Sequence, residues 1–387
     1  MSSSNRIRIV SIKESTYGET PGAGNFKRAR FVSDALSGTP DTQESQIIRD
    51  DRQSSGQVQV GLSVGGDING ELAKDTTFEE YMESAMYSTW QTPSSVNADL
   101  EVDVDNSKLF RDAGSFITDN VRKGDVLTLG GFTNAANNTQ VMVADVVSAT
   151  ELDIILNRNM VNEDDTGNTF KIADWMEIGT TKLSFSMEKA FLDLTDKAIN
   201  YRGMIVNTMN LNATYGEIFT VAFGFLGNGY EPADQASEFM TDGRTIDAAD
   251  TSNSFNGSVD IPFIANDLGG SFLDSPFCIQ SVEAILNNNL TPETCIGKVE
   301  PNDYNEGTGQ VTVNLNAYNE DDSFALLDKK QTQEPFAIGY IVQNSSGGYG
   351  VFMPAVQVSF EDPQAGGPNQ DVFINAAGQA KVGANGS

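Results

Sequence analysis

The stretch Phe219-Thr220-Val221-Ala222-Phe223-Gly224-Phe225 alternates bulky apolar residues with small or polar ones. Successive side chains of a strand point to opposite faces, so this segment sends three phenylalanines and a valine into one core. The same period of two recurs at Val58, Val60, Leu62 and Val64, at Leu183, Phe185 and Met187, at Val311, Val313 and Leu315, and at Val356, Val358 and Phe360. Half-buried strands with polar outer faces predict packed antiparallel sheets, and hence a mainly β fold.

Helical signal appears twice. Thr77 and Glu80 have the spacing of a capping box, and Phe78, Tyr81, Met82, Ala85 and Met86 form an apolar stripe, which predicts a helix over 77–89. Asp321 and Asp322 precede Ser323–Lys330 with acids at the positive end of the helix dipole and Lys329 and Lys330 at the other, a second short helix stopped before Pro335. Between the turn-prone residues 92–95 and Trp175 the texture changes to short Val-, Ile- and Leu-rich runs separated by Gly and Asn clusters. Residues 96–175 therefore read as a small all-β domain inserted into a scaffold formed by 1–95 and 176–387. Residues 228–258, rich in Asp, Ser, Thr, Asn and Gly, read as a long surface excursion.

Composition removes several functions. The 387 residues include no histidine, which excludes His-based acid-base catalysis, Ser-His-Asp and Cys-His nucleophile systems and His-ligated metals. Two cysteines, Cys278 and Cys295, cannot close a zinc site, and they read as small apolar residues in or beside strands. No catalytic residue, metal ligand or cofactor is expected. No signal-peptide pattern opens the sequence and no apolar run approaches the roughly 20 residues that span a bilayer, so a reduced cytoplasmic birthplace without membrane insertion is the expectation. The net charge of -30 disfavours stable binding to polyanions.

That charge is uneven. Residues 1–60 carry eight basic and seven acidic residues, so the rest of the chain holds the whole acidic excess. The basic residues come in groups: Arg6 and Arg8, then Lys27, Arg28 and Arg30, then Arg49 and Arg52 around Asp50. This segment reads either as an irregular solvated arm or as an arm that docks on an acidic face of another copy. Asp99, Glu101, Asp103 and Asp105 alternate with apolar residues, yet the spacing fails a calcium loop, and a solvated strand edge is the better account. Glu163-Asp164-Asp165 reads as a turn, and Gly18, Gly22 and Gly24 as part of a flexible arm rather than a phosphate loop.

The order of these features resembles the tail tube (major tail) protein family of long, non-contractile-tailed bacteriophages. Its arm, first strand and long loop are matched by Tyr17–Gly22, Phe26–Val32 and Ile48–Arg52 leading into the 58–64 strand. Phe185–Phe191, Gly203–Leu211, Gly216–Gly227, Ala284–Leu290, the 323–330 helix, Tyr349–Phe360 and Gly366–Val372 follow in the family's order. The 96–175 insert and the 228–258 excursion depart from the minimal pattern.

The resemblance implies a β-sandwich or barrel-forming subunit with one or two short helices, assembled as stacked hexameric rings into a tube for DNA ejection. It implies contacts between rings through the 1–56 arm and loop, with Arg6, Arg8, Lys27, Arg28, Arg30, Arg49, Asp50 and Arg52 as candidates, and through a C-terminal arm from 361. Expected partners are other copies and the tape-measure, tail-terminator and tail-tip proteins, with genomic DNA passing an acidic lumen without stable binding, in the virion tail. The insert is expected on the outer wall, as an adhesive module or an inert appendage. A β-rich surface adhesin or host-glycan-binding virion protein is the alternative reading.

Overall fold

The computed structural model describes residues 3–381 except 49, 52, 158, 262, 269–270 and 275–276. The Phe219–Phe225 alternation becomes strand Thr220–Gly227, and Phe219, Val221, Phe223 and Phe225 are all buried. It pairs on one side with Gln57–Glu71 and on the other with Ala198–Thr214, both antiparallel. Among the described residues, sixteen strands hydrogen-bond into one branched sheet.

Strand Ala198–Thr214 is the branch point. Its first half pairs with Phe185–Phe191 and Gly229–Ala233, its second half with Thr220–Gly227 and Ile279–Asn287. The change of partners falls near Gly203, which has φ +62 and donates its N–H to the Glu14 carboxylate at 2.9 Å. A Cβ there would lie 2.5 Å from Asn228 Oδ1, so only glycine fits both the left-handed backbone and the space. Beyond Ile279–Asn287 the sheet continues through Gln310–Tyr318, Phe373–Ala380, Gly347–Ser359 and Phe336–Asn344. It curls so that Phe336, Ile338, Tyr340 and Val342 share a core with Phe223 and Phe225.

Helix α1 (Thr76–Met86) packs into that core. Tyr81 stands edge-on to Phe185, Phe223 and Phe225 at centroid distances of 5.2, 5.4 and 5.1 Å, a geometry that aromatic quadrupoles favour. Its hydroxyl meets Ser11 Oγ at 3.0 Å. The helix differs from the sequence expectation at both ends. Asp75, not Thr77, is the cap, its carboxylate accepting from the N–H groups of Thr77 and Phe78, and Tyr87 in the left-handed region ends the helix. Glu80 is thereby released from capping and pairs with Lys13 and Lys27. Helix α2 (Ala325–Thr332) follows a 3-10 turn at Asp322–Phe324 and ends at left-handed Gln333.

Six strands within residues 96–172 close into a barrel, in which Val96–Asp103 pairs with Lys108–Arg111 and Glu163–Ile172. Leu100, Leu109, Phe116, Leu127, Val141, Leu152 and Phe170 fill it. Arg111 lies over Phe116 and Phe170, with centroids at 5.0 and 5.5 Å, and Asp119 neutralises it. Gln91 and Trp175 exchange backbone hydrogen bonds, so the chain enters and leaves the barrel side by side. The barrel rests Met142, Ala144 and Ile155 on Ala265, Phe272, Ala337 and Ile341 of the curled sheet. Lys123 lies over Phe272 and pairs with Asp267.

Four further expectations are corrected. Glu163–Asp165 is strand rather than turn, because its backbone pairs with Leu100–Val102 while Glu163 and Asp165 accept from the N–H groups of Asn134 and Thr133. Cys278 and Cys295 are exposed, Cys278 just before strand Ile279–Asn287 and Cys295 in a loop. Residues 7–13, within the expected arm, form strand Ile7–Lys13 paired with Phe185–Phe191, and Ile9 and Val10 are fully buried. The 228–258 excursion is anchored by strand Gly229–Ala233 and by buried Phe255.

Burial raises the Asp75 pKa, so the capping carboxylate is penalised at pH above its folded pKa and relieved as pH falls through it. Asp75→Ala, which loses the cap, is expected to cost about 1 kcal/mol in urea unfolding. Asp75→Asn keeps an acceptor without the buried charge, so it stays close to the wild type at neutral pH, and their difference narrows in acid. Phe223→Ala should cost about 3–5 kcal/mol by the same measurement.

Candidate assembly surfaces

Strand Gln57–Glu71 is longer than its partner in the sheet. Pairing with Thr220–Gly227 stops at Val64, and residues 57–63 continue outward, paired with Ser37–Glu44. The expected 33–56 loop is therefore largely a projecting hairpin. The alternation of Val58, Val60, Leu62 and Val64 runs from solvent into the core: Val64 is 2% exposed, whereas Val60 is 57% and Val58 61% exposed. Ile47 and Ile48 at the tip are exposed too, Ile48 at 97%. Leu62 donates its N–H to the Val299 carbonyl at 2.8 Å, which sets the loop bearing exposed Ile296 against the hairpin base. A cluster of large exposed aliphatic groups on a two-stranded projection makes this hairpin a candidate contact surface.

The basic groups are distributed differently. Arg8 Nη2 lies 3.2 Å from Glu188, a buried carboxylate that also accepts from the backbone and hydroxyl of Thr241. Lys27 pairs with Glu80 at 2.9 Å, and Arg30 donates to the Ser252 carbonyl and Ser254 Oγ. Arg6 reaches the Leu192 carbonyl at 3.4 Å. These four tie the first strands to the body of the same chain. Arg28 and Asp50 are exposed, and Arg49 and Arg52 lie outside the described residues.

A second surface has a different chemistry. Across the sheet, the register aligns Asn69, Ala222, Asn210, Ile285, Thr312 and Gln379 in one outward row that ends at Gln357. The adjacent row runs from Glu71 through Thr220, Asn212, Glu283 and Asn314 to Ala377. Neither row contains Lys or Arg. Glu283 is gripped by the side-chain amides of Asn210 and Asn314 at 2.6 and 2.7 Å. This face lies across the core from the strand Phe336–Asn344, whose Ala337 and Ile341 face the barrel. The 210–214 and 311–318 stretches, Asn or Thr alternating with apolar residues, carried this signal in the sequence. The exposure of Val58 and Val60 had none, because alternation looks the same inside and outside a core.

The fold defines a mainly β chain with a small closed barrel, a projecting apolar hairpin and a broad amide-rich sheet face. The chain belongs to the phage tail tube protein family, whose family model matches residues 4–380. A search of curated proteins found no match. Family membership makes it a structural component of the virion tail. Among the described residues, no cluster of three or more Cys, Asp or Glu is arranged to hold a metal ion, and no helix is long and apolar enough to cross a membrane.

Because Glu188 is buried, Arg8→Ala leaves a carboxylate without its countercharge and should destabilise the isolated subunit by about 2–3 kcal/mol in urea unfolding. An unchanged urea midpoint would refute this intrachain role for Arg8.

Proposed function

We propose that this protein stacks as hexameric rings into the tail tube, with its amide-rich sheet face lining the lumen through which DNA is ejected. The observation that carries this reading is the absence of Lys and Arg from both aligned rows, on the side of the core opposite the barrel. DNA adheres to protein chiefly through phosphate contacts with cations. A wall of neutral amides and hydroxyls with scattered carboxylates offers phosphates no counter-ion and a weak repulsion. The wall is thus non-adhesive more by lacking cations than by dense acidity.

In the same reading, residues 1–95 and 176–387 form the scaffold and the 96–175 barrel is an inserted domain on the outer wall. The projecting hairpin, with Asp50 at its tip and with Arg49 and Arg52 as its neighbours in sequence, makes contacts between rings, as does the stretch 361–372 that precedes the paired strand Phe373–Ala380. Exposed Arg28 is free to join them, whereas Arg6, Arg8, Lys27 and Arg30 would do so only beyond their intrachain bonds. The tape-measure, tail-terminator and tail-tip proteins are the remaining partners, and synthesis takes place in the host cytoplasm.

Negative-stain images of purified protein and of particle tails should show striated hollow tubes or six-fold rings, and absence from tails would refute the reading. Particles carrying Asn210→Lys and Asn314→Lys should release their genome about tenfold more slowly at low salt and recover as salt rises. Lysine at exposed Thr128 of the barrel should leave release unchanged; equal slowing by both sets would reject the lumen assignment.

A further inference from the structure

A second exposed apolar patch sits at the other end of the strand pair that carries the projecting hairpin. Tyr215 and Ile218 lie in the turn before strand Thr220–Gly227, and they are 72% and 46% exposed. Val259, 81% exposed, belongs to a neighbouring loop. Gly216 donates to Ser258 Oγ, Gly257 donates to the Glu217 carbonyl, and Ile218 bridges Asn256, so the turn and the loop form one ledge.

The ledge and the hairpin cannot meet within one molecule. Register places Thr220 opposite Glu71 and Gly227 opposite Val64, so the ledge adjoins one end of this ladder and the hairpin leaves from the other. Seven residue steps at about 3.4 Å separate the two ends by roughly 24 Å. An exposed tyrosine and valine on one end, and Val58, Val60, Ile47 and Ile48 on the other, give each copy one apolar projection and one apolar ledge. Unlike patches at opposite ends of a subunit generate head-to-tail contacts, which propagate as an open stack rather than closing as a dimer.

Charge supports the same pairing. The tip segment 45–56 holds two arginines and two aspartates, so it is neutral in a chain of net charge -30. The ledge carries Glu217 and Asp260. A neutral apolar tip is the segment of a second copy that approaches such a ledge with least repulsion.

We infer that the Tyr215–Ile218–Val259 ledge is the acceptor for the projecting hairpin of the next copy along the stack. This rests on the tube reading and names the surface that receives the hairpin. All the residues involved are exposed, so polar substitution leaves the core intact.

Two variants test it, a donor-defective Val58→Asp/Val60→Asp protein and an acceptor-defective Tyr215→Asp/Val259→Asp protein. Each alone should keep the wild-type melting profile by circular dichroism and stop at the unstacked species in analytical ultracentrifugation. Mixed one to one, they retain one working contact per pair, and should form a species of twice the unstacked mass that grows no further. Should an acceptor variant fail to melt cooperatively, Tyr215→Ser/Val259→Ser takes its place. Tube growth by the acceptor variant equal to wild type, or a mixture giving only the sum of its parts, would overturn the pairing while leaving the tube reading intact. A wild-type protein that never stacks and is absent from tails would overturn both.

Discussion

The burial of Tyr81 among Phe185, Phe223 and Phe225 is the contact on which the rest of the architecture depends. Those three rings come from two strands on different branches of the sheet, and the helix carrying Tyr81 packs against both. The helix fills the angle between the branches, and the curled strand closes the same core from the other side, with Tyr340 6.4 Å from Phe219 between ring centroids. The Asp75 cap, Glu80 with Lys13 and Lys27, and the Ser11 hydroxyl orient the helix and add modest increments. The aromatic area supplies most of the driving force.

That core divides the exterior by chemistry. Strands whose inward residues are large and apolar must put something outward, and on this sheet the outward choice differs by region. Over residues 208–214 and 310–316 it is mainly amide and hydroxyl, which hydrogen-bond water and one another without attracting phosphate. Over residues 337–341 it is Ala, Gly and Ile, which accept the barrel. Gly339 shows how close that seat is, since a Cβ there would stand 3.1 Å from Met142 Sδ. Along the hairpin, the apolar face passes out of the core altogether.

Much of the fold was legible because period-two alternation is a direct projection of strand geometry. The strands at 219–225, 311–315 and 356–360 follow from it, as the first helix follows from its 3.6-residue stripe and the β texture of 96–175 from short apolar runs between Gly and Asn clusters. What alternation does not encode is depth. Val58 and Val64 obey the same rule, yet one is solvent-exposed and the other buried, because the difference lies in where the neighbouring strand ends. Charge runs mislead for a related reason. Arg8 looks like a free arm residue until the fold brings Glu188, 180 positions away, against it. The candidate surfaces were therefore harder to read than the strands, since both depend on long-range register.

A tube of subunits each carrying a charge of -30 must gain enough from its contacts to offset mutual repulsion, and the hairpin tip joins exposed Ile47 and Ile48 to a segment without net charge. Tip residues 45–56 are neutral, while the acids are spread over loops, strand edges and the outer faces of the barrel. Lys13, Lys27, Lys74 and Lys189 are spent inside the subunit on Glu83, Glu80, Glu79 and Asp34, so they stabilise the fold and leave few cations at the surface. Screening by physiological salt confines the remaining repulsion to about 8 Å, the scale of a single contact. Assembly then becomes a local contest at each contact, and in the proposed stack the projecting apolar hairpin would carry its contact surface away from the acidic body before the next copy is met.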